Sequence, residues 1–119
     1  MNIEEIREYC LSKEGVSEGF PFDNTTLVFK VMGKIFCLTN LVGEPGLLLK
    51  NIPEKVQEMR DQYECVQPGF HMNKSHWNLV KPDFSVSKAI LLSWIDDSYE
   101  TVVAGLPRKT RNELKTGEK

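Results

Sequence analysis

The stretch Thr25–Leu41 reads TTLVFKVMGKIFCLTNL. Leu27, Phe29 and Val31 alternate with Val28 and Lys30; beyond Met32-Gly33, Lys34 alternates with Ile35 and Cys37. Side chains two apart along a strand share one face, and β-branched and aromatic residues suit a pleated surface. Two such runs around a two-residue link containing Gly predict a β-hairpin at 25–31 and 34–41.

Working outward, Gly43-Glu44-Pro45-Gly46 reads as a second turn, and Leu47–Lys50 as a third strand. Upstream, residues 2–13 predict an amphipathic helix. Asn2 serves as N-cap, Glu4 and Glu5 occupy the first turn, and Ile3, Ile6 and Cys10 share one face. Gly15 and Gly19 open a loop to Phe20-Pro21-Phe22 and the turn Asp23-Asn24. Downstream, Pro53 starts a helix over 53–62 with Val56, Met59 and Tyr63 at helical spacing. Cys65–Gln67 predicts a fourth strand and Trp77–Val80 a fifth. Ser85 is the expected cap of a helix whose stripe is Val86, Ala89, Ile90 and Trp94. Asp96-Asp97-Ser98 is expected to interrupt it, and Tyr99, Val102, Val103 and Leu106 to continue it.

Short consecutive strands with tight turns argue for antiparallel pairing. The expected fold is therefore a two-layer α+β domain: an antiparallel five-stranded sheet with helices on one face, in the order α-β-β-β-α-β-β-α-α. The second face is expected to be less apolar and to carry Lys30 and Lys34. The 119 residues read as a single domain, 1–119. The final thirteen, PRKTRNELKTGEK, carry a net +3 although the whole chain carries −2, so 110–119 reads as a flexible basic tail. Cys10, Cys37 and Cys65 are scattered, without a C-x-x-C pair, and read as buried reduced thiols. The start lacks the basic-then-apolar pattern of a signal peptide, which points to the cytoplasm.

Pro68–Val80, PGFHMNKSHWNLV, concentrates polar side chains and aromatics between two expected strands. With Pro21–Phe36 and Ser98–Lys109 (SYETVVAGLPRK), it resembles the MmcQ/YjbR family of small bacterial proteins. The resemblance spans nearly the whole chain and implies an α+β fold similar to the frataxin-like and secretion-chaperone-like folds. It also implies a DNA-binding role, since some members are described in that way. The chain departs from the family at Asp23, where members often carry Gly after the Pro-Phe pair.

The residues themselves leave several chemistries open. His71 and His76, with Cys65, could form part of a zinc site, but no second ligand pair accompanies them, so no metal and no cofactor is expected. A Cys65–His71 or Cys65–His76 dyad would need an activated thiolate, and Cys65 sits in an apolar strand. Asp96-Asp97 reads as capping rather than as a catalytic pair. Neither nucleotide glycine-loop pattern occurs. The chain is accordingly expected not to be an enzyme.

For nucleic acid, Lys74, Lys30, Lys34, Arg108 and Lys109 would neutralise phosphates, and His71, Asn73 and His76 would shape or line the contact. Lys50 and Arg111 are further basic candidates. The structural alternative has Asn73, His76 and Asn78 bonding backbone to hold a long turn, with Met72 and Trp77 plugging the helix–sheet layer. Another protein or a small ligand using the 68–80 loop and the open sheet face is the second functional reading. A monomer or weak dimer is expected.

Overall fold

The computed structural model describes residues 2–42, 46–69, 72–81 and 86–116. Its elements are α1 (Ile3–Leu11), β1 (Val16–Gly19), β2 (Thr26–Val31), β3 (Lys34–Asn40), β4 (Leu47–Lys50), α2 (Pro53–Gln62), β5 (Val66–Pro68), β6 (Trp77–Val80), α3 (Lys88–Ala104) and α4 (Arg108–Thr116). The sheet has six strands in the order β1-β2-β3-β4-β6-β5, every neighbour antiparallel. The expected α+β fold is present with one strand more than the five expected. Val16–Gly19, read as a loop because of its glycines, pairs along β2 from Val16↔Val31 to Gly19↔Val28.

The β2–β3 hairpin turns at Met32-Gly33, where φ is 48° and 85°. Both values are positive, as the tight turn that matches strand twist requires. A bulge follows: Phe29 pairs Cys37, but Lys30 pairs Ile35, so Phe36 is the extra residue. Lys30 and Ile35 therefore share a face, and Lys34 pairs with Val31 on the opposite one. The expectation that Lys30 and Lys34 share the open face fails, because their alternation is counted across the turn.

The main core lies between the helices and one sheet face. Leu27, Phe29, Val31, Phe36, Leu47, Leu49 and Val80 meet Ile6, Cys10, Leu91, Ile95 and Val102. The α3 stripe thus runs through Leu91, Trp94, Ile95, Ser98, Tyr99 and Val102, rotated from the stripe expected, and the helix is unbroken through Asp96-Asp97-Ser98. Ser87 caps it, its side chain accepting from the Ile90 N–H; the expected cap Ser85 lies outside the described residues. Ser98 is buried and does structural work in the sheet. Its hydroxyl accepts the Lys50 N–H at 2.8 Å and donates to the carbonyl of the bulged Phe36.

The other sheet face carries its own apolar cluster: Val28, Leu38 and Trp77, with Ile35, Leu48 and Met72 packed against them. Trp77 and Met72 therefore do not plug the helix layer, since Trp77 pairs Lys50 in the register that faces away from it. Residues 108–116, mostly within the stretch read as a tail, form α4. It is anchored through Leu114, which packs on the core beside Met32. Gly15, at φ +72°, lies so close that a Cβ there would meet Leu114 at 2.6 Å.

Candidate functional site

The polar stretch after Pro68 is organised from α2. Arg60, in the last turn of that helix, donates through Nε to Asn78 Oδ1 at 2.6 Å and through Nη2 to the carbonyls of Trp77 (3.1 Å) and Lys74. Asn78, fully buried, donates in return to the Val56 carbonyl at 3.1 Å. Asn73 holds the turn: its side chain accepts the Ser75 N–H at 2.9 Å, and its carbonyl accepts those of His76 and Trp77. The His76 carbonyl accepts the Asn51 N–H at 2.9 Å, tying the turn to the end of β4. Asn73 and Asn78 are thus engaged in holding the chain, and His76 contributes its backbone. Arg60 was not singled out from sequence. In the sequence it is one of two cations, with Lys55, in the helix over 53–62.

His71 lies outside the described residues. Cys65 is buried under the main core, as are Cys10 and Cys37. The Cys10 thiol beside it, together with burial, pushes the Cys37 thiol well above its ordinary value, which suppresses its thiolate. Among the described residues no three His, Cys, Asp or Glu side chains are grouped to hold a metal ion. Asp96 and Asp97 are separated in function: Asp96 accepts from Tyr9 Oη at 2.7 Å and from Lys13 Nζ at 2.5 Å, while Asp97 offers its carbonyl to Thr101.

The basic candidates converge at one end of the sheet. β3 begins at Lys34, β4 ends at Lys50 and β6 begins at Trp77, which pairs with Lys50. Lys34 and Lys50 line one hollow of about 290 Å³ with Thr101, Gly105 and Leu106 at the end of α3. α4 starts two residues beyond Leu106 with Arg108 and Lys109, both exposed, and runs past the β2–β3 turn. Lys74 and Arg60 line a second hollow of about 310 Å³ beside the turn that ties to β4. Lys30 lies one register position in from this end, on the open face. The ion pairs of the described residues engage Arg7, Lys13, Lys55 and Lys88; none engages Lys30, Lys34, Lys50, Lys74, Arg108 or Lys109. No helix among the described residues is long and apolar enough to cross a membrane.

A six-stranded antiparallel sheet backed by helices defines an α+β domain, with its basic side chains gathered at one end. The chain belongs to the YjbR family, whose sequence model matches residues 11–101. It is 39% identical over 99 residues to Escherichia coli O157:H7 YbdF, covering 82% of this chain and 81% of that protein. It is 32% identical over 115 residues to YjbR of Escherichia coli K12, covering 96% and 98%. Deinococcus radiodurans protein DR2400, whose crystal structure carries domain DUF419, superposes with a TM-score of 0.88 at 35% identity over 96% of this chain and 88% of that one. A Pseudomonas syringae structure at 24% identity, TM-score 0.73, shares the fold over 85% and 98% of the respective chains.

Proposed function

We propose that the chain is a non-enzymatic DNA-binding protein of the cytoplasm, and that its contact surface is the basic end of the sheet. The observation that supports this most is the hollow flanked by Lys34 and Lys50, which no carboxylate of the described residues lines and whose rim leads into Arg108 and Lys109. Cations left without carboxylate partners are available to displace condensed counterions from a phosphate backbone, which is the main source of sequence-independent affinity. The chain's net charge of −2 gives no general attraction to a polyanion, so binding depends on this local excess. Lys74 extends the surface along the Arg60-held turn. Asn73 and His76 shape that turn through its backbone geometry.

A labelled duplex titrated at low salt tests this reading by fluorescence anisotropy. The wild type should bind. The double variant Lys34→Glu, Lys50→Glu should bind much more weakly while keeping its circular dichroism and melting transition. Lys88→Gln, at the start of α3, should bind as the wild type does. A wild type that leaves the anisotropy unchanged at low salt would end the proposal.

A further inference from the structure

A second concavity lies on the sheet face away from the helices and is separate from the basic hollows. It encloses about 450 Å³, within the range of sites that hold small organic molecules. Leu38, Leu48 and Leu79 form its floor, and Met72 and the exposed ring of Phe22 its walls. Trp77 and Val28 pack beneath, in the same cluster as Leu38 and Leu48. One side is polar: it holds Asn40 and Asp23, and among the described residues of the lining Asp23 is the only charged one.

We propose that this hollow binds a small molecule with an apolar body and a primary ammonium head. The floor supplies apolar area for the body, and the carboxylate at the rim selects the charge of the head. Asp23 is fixed for that role. Its Oδ1 accepts the N–H groups of Thr25 at 2.9 Å and Thr26 at 2.7 Å, while among the described residues Oδ2 accepts only the Thr26 hydroxyl at 3.2 Å. Oδ2 therefore retains capacity for a donor. The same backbone bonds, from Thr25 first and Thr26 second, hold the carboxyl below its ordinary range, so it is anionic at neutral pH. Asn40 offers an amide oxygen to a second N–H of the head. An apolar acid of the same size would instead meet a like charge. This inference does not depend on DNA binding.

The test is calorimetric titration of the full chain with n-hexylamine, n-hexanol and hexanoate, with methyl NMR to locate the site. Hexylamine should bind saturably, shift the methyls of Leu38, Leu48 and Leu79, and bind about five-fold more tightly than hexanoate, the scale of an exposed ion pair. Asp23→Asn, which keeps an oxygen for the Thr25 and Thr26 N–H groups, should bring amine and acid to within about two-fold of each other. Leu79→Phe should abolish binding of all three by filling the floor. The proposal is overturned if hexylamine does not bind, if hexanoate binds as tightly, if Asp23→Asn retains the preference, or if the shifted methyls lie elsewhere.

Discussion

The guanidinium of Arg60 on α2 and the side-chain amide of Asn78 on β6 form a buried-end pair: Nε donates to Oδ1 at 2.6 Å, while Asn78 Nδ2 donates onward to the Val56 carbonyl. The second guanidinium nitrogen closes on the carbonyls of Trp77 and Lys74. One side chain thereby satisfies polar groups at the point where the sheet ladder gives way to a turn, and it fixes where Lys74 stands.

Arg60→Ala removes donors from acceptors that water does not freely reach. It should destabilise the fold by about 2–3 kcal/mol, the scale of leaving buried polar groups unpaired. Arg60→Lys should recover only part, because an ammonium cannot reproduce the planar fork. Asn78→Ala alone should cost a similar amount, and the double variant should cost less than the two single variants added. Urea denaturation of the four proteins measures this; additive losses would show that the two side chains act independently.

Ser98 bridges Phe36, the bulged residue of the β2–β3 pair, and Lys50, just beyond the Cys37↔Leu49 end of the β3–β4 ladder. Ser98→Ala should lower stability by about 2 kcal/mol, since a buried carbonyl and a part-buried N–H lose their partner together. Hydrogen exchange at the Lys50 amide should rise with it. An unchanged exchange rate at that amide would mean that the serine is not its acceptor in solution.

Thr39 presents the opposite case. Its hydroxyl is buried and, among the described residues, is the one buried side-chain polar atom without a hydrogen-bond partner. Thr39→Val keeps the shape and removes the unpaired group, so it should raise stability by about 1 kcal/mol. A loss of stability on this substitution would place a hidden partner on the hydroxyl.

The Tyr9–Asp96–Lys13 cluster gives stability a pH signature at both ends. Burial acts to raise the Asp96 carboxyl, but the bonds from Lys13 and Tyr9 outweigh it and hold the group below its ordinary value. A carboxylate depressed on folding stabilises above its unfolded pKa, and that contribution disappears as pH falls through the folded value. Tyr9 is pushed up to about 12, chiefly by its bond to Asp96 and then by burial. A phenol raised on folding stabilises fully below its unfolded value, near 10, and loses that contribution as pH rises to about 12. Lys13 also stacks on the Tyr9 and Tyr99 rings, at 4.9 and 5.0 Å from their centroids. Asp96→Asn should flatten the stability profile in both the acid range and the range between pH 10 and 12. Melting temperatures across pH will show whether both limbs change together.

The hairpin at Thr26–Asn40 was legible because alternation and a tight turn are local signals. So were Leu47–Lys50 and the helix at Pro53. β1 was not, because a strand containing few apolar residues gains its place by pairing along β2, which no local pattern records. The stripe of α3 was misplaced for a related reason: Ser98, polar and near two aspartates, looks like an interruption until the bulge that needs its hydroxyl is known. The two-residue turn sets Lys34 opposite Val31, on the face away from Lys30. The turn at 72–77 was recognisable as a polar clasp, yet its organiser, Arg60, stands fourteen residues away from Lys74, on a helix with no sequence mark of that role. Asp23, the departure from the family pattern, turned out to cap its own turn through the Thr25 and Thr26 N–H groups.

The basic end of the sheet is tested most directly by the salt dependence of duplex binding in the wild type and in Lys34→Glu, Lys50→Glu. Each phosphate neutralised contributes a slope of about −0.9 in the logarithm of affinity against that of salt concentration. The wild type should bind measurably at low salt, and the slope should be shallower by about two units in the double variant, matching two lost phosphate contacts. A wild type that fails to bind at low salt, or a slope that survives the double charge reversal unchanged, would contradict the proposed DNA contact.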